Sequence, residues 1–176
     1  MVILETERLL FRPHEPDDME AFCDMEADPE VRRYVGGRPR PRNEAEARFR
    51  RELAGPIVDR LSLWATVYKT EGRYIGRCGV YPHFNADGSH TPGEGVLAFY
   101  LARPYWGRGL ATEAGRAWLR FGFTELGLAR IVASVQAGNQ ASVRVMERLG
   151  LRYVRTEQGE YCSFLHYEMV REEMLY

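Results

Sequence analysis

Cysteine is sparse in this chain of 176 residues: Cys23, Cys78 and Cys162 lie far apart and form no C-x-x-C pair. That spacing excludes a zinc knuckle or a disulfide framework, leaves no metal site to expect, and makes a reducing, cytoplasmic setting the expectation. Nowhere do about 18 apolar residues run together, and Met1-Val-Ile-Leu-Glu-Thr-Glu lacks a basic segment followed by a long apolar one. Neither a membrane partner nor a secretory leader is expected. The net charge is −1, which argues against bulk nucleic-acid binding. No linker, internal repeat or low-complexity stretch interrupts the sequence, and 45% hydrophobic residues suffice for one domain, 1–176, with a core of its own.

Lysine is nearly missing too, Lys69 being the one among 24 basic side chains. The arginines are unevenly placed. Residues 13–30 hold eight acidic side chains and no Lys or Arg, whereas residues 32–51 hold eight arginines against Glu44 and Glu46. Such a contrast can position a substrate or a partner, but arginine is abundant along the whole chain, and a solvated, self-neutralising face is the plainer reading.

Hydrophobic period and punctuation predict the elements. Leu9–Arg12 reads as a strand, and Pro16 opens a helix to about Ala27 with acids in its first turn. Asn43 is a candidate cap for a helix that Gly55-Pro56 ends. Residues 61–68 and 74–81 read as a hairpin, Asn85–Gly93 as a loop, and Val96–Leu101 as a strand covered on both faces. A helical period follows from Leu110 to Leu126, then a strand at Ile131–Val135, a helix from Asn139 to Leu149, and strands at 151–155 and 162–170. The fold class is α/β (α+β), a mixed sheet of about six to seven strands flanked by helices.

One segment carries the chemistry. Ala98-Phe-Tyr-Leu-Ala-Arg-Pro-Tyr-Trp-Gly-Arg-Gly-Leu-Ala-Thr-Glu-Ala114 turns from an apolar strand through Gly107-Arg-Gly109 straight into an amphipathic helix. Two glycines let backbone approach a ligand closely, and the first helical turn offers unpaired N–H groups at the positive end of the helix dipole, which suits phosphate. A dinucleotide fingerprint does not fit, because its third glycine falls on Thr112 and no acid stands near Ile131 to meet a ribose; a Walker loop lacks its G-K-[ST].

Tyr105-Trp-Gly-Arg-Gly-Leu-Ala-Thr-Glu-Ala114, then Ala129-Arg-Ile-Val-Ala-Ser-Val135, then Asn139-Gln-Ala-Ser-Val-Arg-Val-Met-Glu-Arg-Leu-Gly-Leu-Arg-Tyr153 resemble the acetyl-CoA-binding half of the GNAT N-acetyltransferases. The nearer likeness is to the RimJ/RimL-type branch, which acetylates protein N-terminal amines and, in many relatives, small amines. The resemblance implies an acetyl-CoA-binding core at 95–155, an acceptor-side half at 1–94 and a closing strand at 156–176. In the pattern Q/R-x-x-G-x-G/A the small residues match Gly107 and Gly109, so Gly107, Arg108, Gly109, Leu110, Ala111 and Thr112 would hold the pyrophosphate of coenzyme A. The first position falls on Pro104, which puts Arg103 or Arg108 forward as substitutes. Tyr100 and Leu101, on a strand splayed from 131–135, would pair with the pantetheine arm as though it were a strand. Asn139 and Ser142 match the family's N-x-x-S pair, Asn on pantetheine and Ser near the thioester sulfur, where a departing thiolate needs a donor. An ordinary helix cap explains Asn139 alone equally well.

Where relatives place a glutamate, this chain has Val96, with Glu94 two residues earlier as the candidate base acting through water; His83 and His90 are further candidates. A peptide α-amine, with a reference pKa of about 7.7–8.0, needs little help to lose its proton. No Ser/His/Asp or Cys/His set suggests an acyl-enzyme, so direct transfer in a ternary complex is expected. Tyr34, Trp64, Tyr81 and Phe84 are candidates to line the acceptor pocket. The acceptor expected is a peptide N-terminal α-amine; the alternatives are a small-molecule amine and a non-catalytic acyl-CoA-binding module. The protein is expected as a monomer or homodimer.

Overall fold

Strands β4 (Arg73–Phe84) and β5 (His90–Leu101) form a long central hairpin, and everything else is hung on it. The computed structural model describes residues 1–56, 58 and 60–174. Within them one sheet runs in the order β1-β2-β3-β4-β5-β6-β8-β7. Its other members are β1 (Leu4–Glu5), β2 (Leu9–Arg12), β3 (Ser62–Tyr68), β6 (Arg130–Gln136), β7 (Arg152–Gln158) and β8 (Ser163–Val170). Eight strands exceed the six or seven expected, and the addition is β1, whose two residues are too short to show an alternating pattern. The expected loop at 85–93 is shorter than its composition suggests. Asn85 N–H donates to Ser89 O at 2.8 Å, and the chain re-enters the hairpin at His90, opposite Phe84.

All pairings are antiparallel except β5 with β6, which are parallel only where Glu94–Val96 face Arg130–Val132. Beyond Val96 and Val132 the two strands part, leaving a V between Leu97–Leu101 and Ala133–Gln136. The crossover between them is helix α4 (Leu110–Thr124), and α5 (Gln140–Leu149) follows β6.

Helix α4 covers one face. Trp118 is fully buried and meets Phe11 edge-on, centroids 5.2 Å apart, amid Leu9, Ile75, Leu97 and Ile131. Each such side chain contributes about 1.5–3 kcal/mol by burial. On the other face lie α1 (Met19–Ala27), α2 (Pro29–Arg32) and α3 (Arg42–Leu53), with Phe22, Cys23, Ala45 and Phe49 in a second cluster. Helix α3 starts after Pro41, whose carbonyl accepts from Ala45 N–H at 2.9 Å, so Asn43 lies inside the helix rather than capping it.

The basic arm is spent on this layer. Arg77 on β4, 4% exposed, donates to Glu26 of α1 at 2.9 Å and to Glu52 of α3 at 2.7 Å, its guanidinium between the rings of Phe22 and Tyr100. Glu26 also takes Arg40 at 2.8 Å and Arg32 at 3.2 Å. Arg38 pairs with Glu44, Arg42 with Glu20 and Glu46, and Arg48 with Glu52. The acidic and basic segments neutralise one another, as the plainer reading of the charge pattern expects. Among the described residues no helix is long and apolar enough to cross a membrane, and no cluster of ligating side chains could hold a metal.

Candidate active site

A cavity of about 600 Å³ fills the V, reaching from the N-terminus of α4 between the parted strands to α2 and Tyr34. Its first end is the strand–helix turn. Gly107 and Gly109 have φ of +72° and +76°, a left-handed backbone that favours glycine. With Gly109 as its cap, α4 has no side-chain acceptor for its first-turn amides, and Glu113 N–H is the first to return, to Gly109 O at 3.0 Å. The amides of Leu110, Ala111 and Thr112 therefore stay available at the cavity wall, where the helix dipole favours an anion.

The turn is braced from the far end of the chain. Glu113 accepts Arg8 Nε at 2.6 Å, Arg8 N–H at 2.9 Å and the Thr6 hydroxyl at 2.5 Å, while Arg8 donates to Arg108 O at 2.9 Å. Burial pushes the Glu113 carboxyl up, but the Thr6 and Arg8 bonds outweigh it and hold the group below its ordinary range. A Cβ placed on Gly109 would lie 3.7 Å from a terminal nitrogen of Arg8, so this guanidinium stands beside the cradle that Pro104 leaves without a Gln or Arg. Neither Arg8 nor Glu113 is among the residues that sequence reasoning singled out. Glu113 lies in the Tyr105–Ala114 motif and Arg8 just before the Leu9–Arg12 strand, but nothing in their spacing announces the pairing.

Along the walls, Tyr100 and Leu101 come from β5, and Asn139 and Ser142 from the start of α5. The Asn139 side chain accepts Ser142 N–H at 3.2 Å, an ordinary N-cap, and its amide nitrogen has no hydrogen bond among the described residues. The Ser142 hydroxyl lines the cavity and has no hydrogen-bond partner among the described residues. Tyr34 closes the other end, its ring 3.4 Å from where a Cβ on Gly138 would stand, so it spans from the α2 side to the β6–α5 loop.

Other expected residues lie elsewhere. Arg103 is exposed and faces Asp28 at 3.6 Å; Arg108 stacks between Tyr68 and Tyr105, 5.7 and 5.4 Å from their centroids. Neither lines the cavity. Trp64 is a correction: 5% exposed, it belongs to the core beneath α4, its indole N–H donating to Arg60 O at 3.3 Å. Strand alternation puts it on the face away from Arg77 and Tyr100. Phe84 is likewise displaced, 45% exposed at the hairpin end beside His90. Tyr81 shares the face of Tyr100 without lining the cavity, and burial pushes its hydroxyl up to about 12.

Glu94 sits where β5 and β6 still pair, two residues before the V opens. It takes His83 Nδ1 at 2.8 Å and Arg130 at 3.0 and 3.1 Å. Burial pushes its carboxyl up, but the His83 and Arg130 bonds more than offset this and hold it below the usual range. It is fixed and ionised, and outside the cavity lining.

Residues 8–152 match the acetyltransferase (GNAT) domain family. The chain is 34% identical over 156 residues to the uncharacterized protein YkkB of Bacillus subtilis, covering 87% of each. It is 30% identical to the uncharacterized N-acetyltransferase p20 of Bacillus licheniformis, covering 98% of each. Among solved structures it superposes on a GNAT-family acetyltransferase from Bacillus anthracis with a TM-score of 0.84 at 24% identity, over 98% of this chain and all of that one.

Proposed function

Because the chain belongs to the GNAT acetyltransferase family, we propose that it transfers the acetyl group of acetyl-CoA to a primary amine, most fittingly a peptide N-terminal α-amine in the manner of the RimJ/RimL-type branch. The observation that carries this reading is the single cavity that joins an uncapped helix N-terminus to an opening between two unpaired strand edges. The amides of residues 107–112, with Arg8 alongside, suit the pyrophosphate, and the free edges of β5 and β6 suit the amide groups of the pantetheine arm. Acetyl-CoA supplies the activated thioester; the acceptor nitrogen forms the new C–N bond as the C–S bond breaks. Ser142 Oγ holds a proton that it can offer to the leaving sulfur. Glu94, kept ionised by His83 and Arg130, is the carboxylate in β5 nearest the opening and takes the acceptor's proton through water.

The acceptor end favours an amine with little further charge. Val31, Val35, Tyr34 and Phe164 line it, and its one carboxylate among the described lining residues, Glu30, faces Arg33 at 3.7 Å. A polyamine brings additional ammonium groups that no carboxylate cluster there would meet.

Binding is tested by melting. A ligand that binds only the folded state at a hundredfold excess over Kd adds about 2.7 kcal/mol, a visible rise in Tm. Acetyl-CoA and coenzyme A should each produce it and NADH should not; no shift with either thioester or thiol at millimolar concentration contradicts the reading.

A further inference from the structure

Glu26, in the last turn of α1, is a carboxylate only 2% exposed, and its two oxygens face different parts of the molecule. Oε1 accepts from Arg77 Nη2 of the sheet at 2.9 Å. Oε2 accepts from Arg40 Nε at 2.8 Å and meets Arg32 Nη1 at 3.2 Å, and these two belong to α2 and the turn that follows it. A buried ion cluster is weak ground for stability, because desolvation offsets the attraction. What it positions is the more informative question.

The segment it holds is the acceptor end of the cavity. Val31, Tyr34, Val35 and Gly36 line that end, and the backbone there is wound around Arg32. Val35 N–H and Gly37 N–H donate to Arg32 O at 2.9 and 3.1 Å, Arg32 Nε donates to Arg38 O at 3.3 Å, and Arg40 N–H donates to Glu26 O at 2.8 Å. The Arg32 guanidinium fills the space under the turn, since a Cβ on Gly36 would stand 2.4 Å from its Nη2. On the β5 wall, the ring of Tyr100 stacks on Arg77, centroid to guanidinium 5.0 Å, and Arg77 has Glu52 as a second anchor at 2.7 Å. Two walls of the cavity are thus referred to the two oxygens of one carboxylate.

We infer that Glu26 is a positioning residue for the acceptor amine: by holding Arg32 and Arg40 it sets the turn after α2 against the β5 wall and fixes the shape of the acceptor end. This rests on the acetyl-transfer reading above. Without the Glu26 charge, Arg77 keeps Glu52 and Tyr100 keeps its support, whereas Arg32 and Arg40 lose the one carboxylate they meet among the described residues. A turn that holds its binding shape for only a fraction of the time weakens acceptor binding by that fraction. The cradle, braced separately by Arg8 on Glu113, is left as it was.

Steady-state kinetics with a peptide acceptor at saturating acetyl-CoA, alongside calorimetric titration with acetyl-CoA, tests this on Glu26→Gln, Gly36→Ala and Gly37→Ala. The two glycines are a matched pair: both have left-handed φ, +84° and +70°, but a Cβ on Gly36 runs into Arg32 while one on Gly37 meets nothing within 4 Å. Glu26→Gln and Gly36→Ala should each raise the acceptor KM about tenfold or more, with kcat within about threefold and acetyl-CoA affinity unchanged, while Gly37→Ala keeps the wild-type KM. Where Glu26→Gln does not fold, the two glycine variants decide. Should Gly36→Ala and Gly37→Ala share one acceptor KM, or should acetyl-CoA affinity fall along with the acceptor's, the inference is wrong although the acetyl-transfer reading stands. If wild type acetylates no amine, that reading fails and this inference with it.

Discussion

Arg8 and Glu113, 105 positions apart in sequence, meet at 2.6 Å and tie β2's approach to the first turn of α4. Because Arg8 also holds Arg108 O at 2.9 Å, the cradle's shape depends on a residue remote from its own motif. Glu113→Ala should therefore lower the stability by about 1–3 kcal/mol, through unsatisfied partners. It should also weaken acetyl-CoA binding, whereas Glu113→Gln, which keeps an acceptor, should fall between. Chemical denaturation alongside calorimetry gives both quantities; unchanged affinity in Glu113→Ala would detach the brace from the cradle.

Gly109→Val should hurt cofactor binding more than folding. Its φ of +76° strains a β-branched residue by about 1–3 kcal/mol, and the added methyls project where a phosphate would approach. A folded variant with full acetyl-CoA affinity would remove the cradle assignment.

Ser142→Ala should cut kcat and kcat/KM together, on the order of 10²-fold, with acetyl-CoA affinity nearly unchanged. Asn139→Ala should behave differently, loosening the start of α5 by about 1 kcal/mol through loss of the bond to Ser142 N–H and weakening the cofactor. Steady-state kinetics on both variants separates a group used in the transition state from a helix cap.

His14 gives the fold a pH dependence. It is 8% exposed among Phe22, Phe49 and Tyr74, its Nε2 has no hydrogen-bond partner among the described residues, and burial pushes its pKa down from 6.5 to about 4. The unfolded chain then binds the proton more readily than the folded one between those values. Stability is complete above about pH 6.5, falls as pH drops towards 4, and levels off below, by up to about 3 kcal/mol from this group. Denaturant midpoints against pH should show that slope, and His14→Phe should flatten it.

The strand–turn–helix of the cradle and the helix that begins at Asn139 were legible because local signals specify them: glycine at positive φ, a capping Asn, a helical period. The parting of β5 and β6 came from the family resemblance, since pairing between residues 36 positions apart, Glu94 with Arg130, leaves no mark on either strand. Trp64 shows the limit of alternation. A period of two says that Leu63 and Trp64 face opposite ways, but not which face holds the cavity. The arginine-rich arm was ambiguous for a similar reason, because Glu26, which takes Arg32 and Arg40, comes from α1, a separate element, and shares Arg77 of β4 with Glu52.

Acetyl transfer to an amine is read from the release of free coenzyme A thiol from acetyl-CoA across peptides with free α-amines, polyamines and aminoglycosides. Thiol release should require an acceptor, be strongest with peptide α-amines and disappear when the peptide's N-terminus is blocked. Binding of acetyl-CoA without thiol release for any amine in that panel would rule out acetyl transfer and leave a non-catalytic acyl-CoA-binding module.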